Sequence, residues 1–333
     1  MKLWQKVLVP ALLIGVVLVA VPQGARAQAA IKIDGSSTVF PVSEAFAEEF
    51  QISKRGKVRV TVGMSGTGGG FKKFCRGETD MSNASRPILK EEMENCRKNG
   101  IKYHEIPVAF DALTVVVNPA NTWVKTLTVA DLRKMWEPAA QGRITNWKQV
   151  RGEYPSQKLM MFGPGADSGT FDYFTEAVNG KSKASRGDYT ASEDDNTLVQ
   201  GVENNKNAIG YFGFAYYAAH KDKMRAVPID GGKGPVAPSL ENVTNGTYQP
   251  LSRPLFVYVR ESSAGRPEVR EFVQFMMTQG GPLVSEVGYL PLPKSAYDLA
   301  WTHFNSKKLG TVFGGVPEVG VTIEELLAKE AKL

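Results

Sequence analysis

Three times in this chain an alternating or apolar run leads into a turn of small polar residues and then into a helical pattern, and that order fixes the fold class. Residues 31–34 alternate as a short strand and meet Gly35-Ser36-Ser37-Thr38, after which Val42, Ala45, Phe46 and Phe50 recur at helical spacing. A second strand, Val58 to Val62, leads to Ser65-Gly66-Thr67-Gly68-Gly69-Gly70 and a helical face opened by Phe71, Phe74 and Cys75. A third, Leu159 to Phe162, leads to Asp167-Ser168-Gly169-Thr170 and a helix bearing Phe171, Phe174 and Val178. Strand, tight turn and helix in succession is the unit of a parallel α/β sheet.

The same turns carry the chemistry. A helix start exposes unpaired N–H groups and about half a positive charge, which suits an anion. Glycine lets the backbone come close, and Ser and Thr hydroxyls add donors. One such turn is ordinary helix capping. Three together can surround a tetrahedral oxyanion from several directions, and the candidate ligands are Ser36, Ser37, Thr38, Thr67, Gly68, Gly69, Asp167, Ser168, Gly169 and Thr170. The glycine run fits neither a dinucleotide fingerprint nor a nucleotide P-loop, since the downstream acid and the Gly-Lys-Ser/Thr ending are missing.

Long apolar stretches at 106–118 and 255–259 read as buried strands and bracket a middle block of domain size. The chain is expected to leave its first lobe at one and return at the other. That gives a signal segment at 1–27, a discontinuous first lobe at 28–115 and 255–333, and a second lobe at 116–254, with the ligand in the cleft. The polar stretch 179–195 reads as a surface loop.

Lys2 and Lys6, the apolar run from Val7 to Val21, and Ala25-Arg26-Ala27 are the three regions of a secretory signal, with cleavage expected near Ala27. The apolar run is too short to span a membrane, for which about 20 residues are needed. No Cys lies near the cleavage point, so no lipoprotein is expected. The formal charge of +6 includes Lys2, Lys6 and Arg26, leaving 6 − 3 = +3 on the mature part. That is no nucleic-acid footprint and tolerates an anionic ligand. In an exported chain the pair Cys75 and Cys96 is expected as a disulfide. Three scattered histidines, His104, His220 and His303, argue against a zinc site, and no cofactor is expected.

Several motifs together resemble the phosphate-binding proteins of phosphate ABC importers. They are Asp34 to Pro41, the glycine run with Phe71-Lys72, Ser82-Asn83-Ala84-Ser85-Arg86-Pro87-Ile88, Gly163 to Phe171, and Ala208-Ile209-Gly210-Tyr211. The motifs keep order over nearly the whole mature chain. The resemblance implies a type II periplasmic-binding-protein fold, two α/β lobes joined by two hinge crossings. It also implies a periplasmic monomer that delivers phosphate to permease subunits. In the best-studied branch an Asp stands where this chain has Arg86, and an Arg where it has Pro164. Arg86 is therefore expected as the ligand's cation and Asp167 as the acceptor of its proton. Other oxyanions (sulfate, molybdate, a phosphonate) and a stand-alone sensor or scavenger are the alternatives. A secreted phosphatase or protease is the weaker reading, because no histidine sits in a catalytic context and the Gly-x-Ser-x-Gly elbow is missing.

Overall fold

A computed structural model describes residues 28–332; the signal segment expected over 1–27 lies outside them. The first lobe contains β1 (Ala29–Gly35), β2 (Val58–Met64), β3 (Met81–Ala84), β4 (Tyr103–Ala112), β13 (Ser252–Arg260) and β14 (Leu290–Pro291). They form one sheet in the order β14-β4-β13-β3-β1-β2. β2 and β3 lie parallel to β1, whereas β13 runs antiparallel to both β3 and β4. The second lobe contains β5 (Thr114–Val117), β7 (Met160–Pro164), β8 (Thr190–Ser192), β9 (Ala208–Phe212) and β10 (Arg225–Ala226). Their order is β10-β5-β9-β7-β8. A small ribbon of β6 (Leu127–Thr128), β11 (Ile229–Asp230) and β12 (Pro235–Val236) completes it.

The apolar run at 106–118 is two strands, not one. β4 ends at Ala112, β5 starts at Thr114, and they belong to different sheets. Leu113 breaks the run because its backbone bonds go elsewhere. Its N–H donates to Leu251 O (2.8 Å), and its C=O accepts from the Tyr248 hydroxyl (2.8 Å). The outgoing chain is thereby stitched to the returning chain at the crossing.

Apolar periodicity places the helices as expected. Helix Phe40–Ser53 buries Val42, Phe46 and Phe50, and Phe50 meets Phe272 and Phe275 of helix Pro267–Glu286 at 5.0 and 5.7 Å between ring centroids. In the second lobe Tyr211 stacks on Phe174 (3.8 Å) and meets Trp136 edge-on. The glycine run is not a loop ahead of a helix: Gly66–Phe74 is itself helical. Glycine costs about 1 kcal/mol per position in a helix, and close approach explains its use. A Cβ on Gly70 would stand 2.5 Å from Gly35 Cα and 3.0 Å from Asp34 O.

The stretch 179–195 is less superficial than its composition suggests. Arg186 is buried, donating to Met135 O and Ile144 O and pairing with Asp188. Asp195 is buried too, as the first residue of helix Asp195–Glu203, whose N-cap is Asp194. Polarity marked a loop here because buried charges look like solvated ones in sequence.

Cys75 and Cys96 are bonded, as expected, and both are buried. The bond joins the end of helix Gly66–Phe74 to helix Lys90–Lys98 and so fixes the base of the segment carrying Ser85 and Arg86. Closing this 21-residue separation limits the unfolded chain by about 3 kcal/mol. The Cys75→Ser, Cys96→Ser protein is expected to lose roughly that much stability, read from urea denaturation with a steeper slope because its unfolded chain is less compact.

Candidate functional site

The site is built where β4 and β13 lie side by side. Arg253 stands directly opposite Asp111 in the ladder, and both side chains are fully buried. The guanidinium donates to Asp111 Oδ2 through Nε (3.1 Å) and Nη2 (2.9 Å). Burial pushes the Asp111 carboxyl up; Arg253 and the Phe214 N–H, which donates to Oδ1 at 2.9 Å, work the other way. Nη2 also reaches the Thr170 hydroxyl (2.9 Å) and, more weakly, that of Thr38 (3.4 Å). The Tyr173 ring lies 5.4 Å from the guanidinium carbon.

Around this cation the predicted turns come together. Thr38 and Thr170, from opposite lobes, share a hydrogen bond of 2.9 Å between their hydroxyls. Thr67 Oγ1 lies 3.2 Å from Ser85 Oγ and accepts from Ser85 N–H (3.1 Å). Gly169 is what lets these turns meet: a Cβ there would stand 2.3 Å from Thr67 Oγ1 and 2.7 Å from Ser85 Oγ. Ser36, Ser37, Thr38, Thr67, Ser168 and Thr170 are all buried. Their hydroxyls do not all face the cluster. Ser168 caps its own helix, accepting from Thr170 and Phe171 N–H, and Ser36 accepts from Val39 N–H at 3.4 Å. The Gly68 N–H donates to Asp167 O (2.7 Å), so it serves contact between lobes, and Gly69 packs against Ser65.

Two expected charged residues lie elsewhere. The Asp167 carboxylate is half-exposed and pairs with Lys72 at 2.6 Å, at the mouth of the cleft. Arg86 is buried but donates to Asp172, Glu92 and Pro87 O; none of its described hydrogen bonds goes to Thr38, Thr67, Ser85 or Thr170. The structure instead brings in Arg253, Asp111, Ser85 and Asp195, which sequence reasoning did not place in the site. A signal was available for two of them, since Asp111 and Arg253 are charges set inside or beside the most apolar runs of the chain.

Asp195 is the sharpest feature. It is fully buried; the Ser37 hydroxyl lies near enough to act on it, but neither carboxylate oxygen completes a well-formed hydrogen bond among the described residues. Burial pushes its carboxyl from 3.8 up to about 7; Arg253 pulls it down, Asp111 pushes it up, and the Ser37 hydroxyl favours the charged form. The buried hydroxyls of Tyr211 and Tyr289 also lack partners among the described residues, and both feel the charges of Asp195 and Arg253. Buried polar groups without partners are uncommon and mark places where a ligand can supply them. Here a cation, neutral hydroxyls and one carboxylate with a raised pKa lie within hydrogen-bonding or electrostatic reach of one another.

Two outcomes follow. Asp111→Ala strands the Arg253 charge and is expected to cost roughly 3–5 kcal/mol, measured by urea denaturation. Because the folded pKa of Asp195 is raised, its contribution to stability is fully present below about pH 4 and is lost as pH rises through about 7. Other buried acids titrate over the same window, so the difference between wild type and Asp195→Asn is the readout. The variant is expected to lose less stability between pH 4 and pH 8.

Comparison with known proteins places the chain. A family model described as a PBP superfamily domain matches residues 20–279. The chain is 53% identical over 326 residues to protein SphX of Synechococcus elongatus, covering 97% of this chain and 96% of that one. It is 38% identical over 270 residues to the phosphate-binding protein PstS of Staphylococcus epidermidis, covering 80% of each. Among solved structures, a putative phosphate ABC transporter substrate-binding protein with bound phosphate from Clostridium perfringens matches with a TM-score of 0.67 and 28% identity. That match covers 79% of this chain and all of the other. With its two α/β lobes and a cleft cluster between them, this chain belongs to the PBP superfamily.

Proposed function

We propose that this chain is an exported solute-binding protein that captures inorganic phosphate between its lobes and delivers it to the permease subunits of an ABC importer. The observation that carries this reading is the buried cluster of Arg253, Thr38, Thr170 and Asp195. An oxyanion entering between Thr38 and Thr170 takes over the hydrogen bond those hydroxyls make with each other. Arg253 supplies charge and direction, with Asp111 holding its guanidinium in place. The relatives support the ligand: one is named a phosphate-binding protein, and another was solved with phosphate bound.

Asp195, rather than Asp167, is the acceptor for the proton of a protonated phosphate. Asp195 is buried with oxygens that make no well-formed hydrogen bond among the described residues, whereas Asp167 is paired with Lys72 outside the cluster. Sulfate carries no proton at neutral pH, so it leaves such a carboxylate unpaired and repelled. Arg253 replaces Arg86 as the cation, and Ser85 joins Thr38, Thr67 and Thr170 as a ligand. The lobes divide at Leu113 on the way out and just before Ser252 on the way back. No helix among the described residues is long and apolar enough to cross a membrane. The reading is of a periplasmic monomer that binds its ligand without turning it over.

Calorimetric titration of the ligand-stripped protein tests this. Tight one-to-one binding of phosphate that sulfate does not compete is the expected result. Asp195→Asn replaces a carboxylate, which when ionised can only accept, by a group that can donate, so it is expected to weaken phosphate and admit sulfate. Absence of phosphate binding by the wild type overturns the ligand. Unchanged discrimination in Asp195→Asn overturns the role of that residue.

A further inference from the structure

Arg86 lies one residue from Ser85, and Asp172 two residues from Thr170, so the pair borders the cluster from opposite lobes. Its side chain is 3% exposed as a residue and that of Asp172 1%. Nε donates to Asp172 Oδ2 at 2.7 Å, while Nη1 and Nη2 donate to the two oxygens of Glu92 at 2.8 Å each. Glu92 belongs to the same lobe as Arg86 and also accepts from Leu89 N–H (2.9 Å). One guanidinium therefore has a two-pronged anchor within its own lobe and a single bond across the cleft.

The outer side of the cross-cleft bond is covered. Pro317, Glu318 and Val319, in the connection between helices Lys294–Asn305 and Ile323–Glu330, share a small cavity with Arg86, Asp172 and Tyr173. This connection touches both lobes. Gly315 O accepts from Lys90 N–H in the first (3.0 Å), and Gly320 N–H donates to the Tyr173 hydroxyl in the second (2.8 Å). Burial works against the Arg86 charge, but Glu92 and Asp172 more than offset it, so it stays protonated.

We propose that Arg86 and Asp172 form a clasp between the lobes, made on closing and broken on opening, which sets how long a captured anion stays and not which anion is captured. Glu92 keeps the guanidinium aimed in both states, because a bidentate pair fixes direction as well as distance. On opening, Asp172 exchanges this bond for water. The 317–319 connection keeps water from the closed pair, so breaking it requires the lobes to part. The role in residence time rests on the capture function proposed above; the clasp itself does not.

The test uses the full-length mature protein carrying Ile52→Cys and Lys148→Cys, exposed positions on the first and second lobes, for spin labels. The described native cysteines are bonded to each other and leave labelling to the new ones. Asp172→Asn keeps the shape and removes the charge. Without phosphate, it is expected to raise the open fraction in the interlobe distance distribution. With phosphate, the dissociation rate should rise about tenfold or more, since loss of one partner of a buried pair acts on departure. The association rate should stay within about twofold, and the preference for phosphate over sulfate should not change. Arg86→Lys, which keeps the charge without the fork, serves as the milder variant and should fall between. An unchanged distance distribution in both variants overturns the clasp. A changed anion preference would place the pair in the ligand site and overturn it as well. If the wild type binds no phosphate, the proposed function falls, and the distance measurement still decides the clasp.

Discussion

The rest of the molecule is organised around a single buried ion pair, Asp111 with Arg253. The two residues are cross-strand neighbours on β4 and β13, the strands that lead out of and back into the first lobe. Pairing two charges in a dry interior is costly unless every remaining donor and acceptor is used. Here they are used across the cleft: Asp111 accepts from Phe214 N–H of the second lobe, and Arg253 reaches Thr38 on one side and Thr170 on the other. Leu113, bonded to Leu251 and Tyr248 beside the pair, fixes the crossing. Under the proposed function the hinge and the anion site are one structure. A cation that contacts groups from both lobes then couples closure to ligand binding.

Neutral donors do most of the remaining work. Hydroxyls and backbone N–H groups at helix starts can meet an oxyanion without adding bulk charge. Under the proposed function, selectivity falls to a group whose protonation responds to its surroundings, the role proposed for Asp195, on which burial and Arg253 act in opposite directions. Closure is shared among contacts of different kinds. The Thr38–Thr170 bond lies at the centre, the Arg86–Asp172 pair beside it, and the half-exposed Lys72–Asp167 pair at the mouth. The last is screened by solvent and contributes little.

Much of this was legible in the sequence. The helices announce themselves by apolar spacing, the disulfide by an isolated cysteine pair in an exported chain, and the turns at 35–38, 65–70 and 167–170 by their composition. What sequence could not rank was which charged residues pack against the Thr38–Thr170 cluster. Arg86 follows a quoted motif and Asp167 precedes a helix start, so local context favoured both. Their fate depends on long-range partners, Asp172 for one and Lys72 for the other, that no spacing rule brings together. Asp111 and Arg253 are separated by 142 positions, and their role exists only through the β4–β13 register. Asp195 sat at the end of a polar stretch that looked solvated. The glycines within helix Gly66–Phe74 resembled a loop because their reason is steric and lies on a neighbouring strand.

The central claim is that Arg253, not Arg86, is the cation that meets the anion. The most direct measurement is the phosphate dissociation constant of Arg253→Lys beside that of Arg86→Lys, both titrated by calorimetry under the same conditions. Each substitution keeps a positive charge and removes the planar fork, which is not a conservative change at a site needing directed donors. The account predicts a far larger loss of affinity at Arg253. Equal affinity in Arg253→Lys and the wild type, with the loss falling on Arg86→Lys, would contradict it.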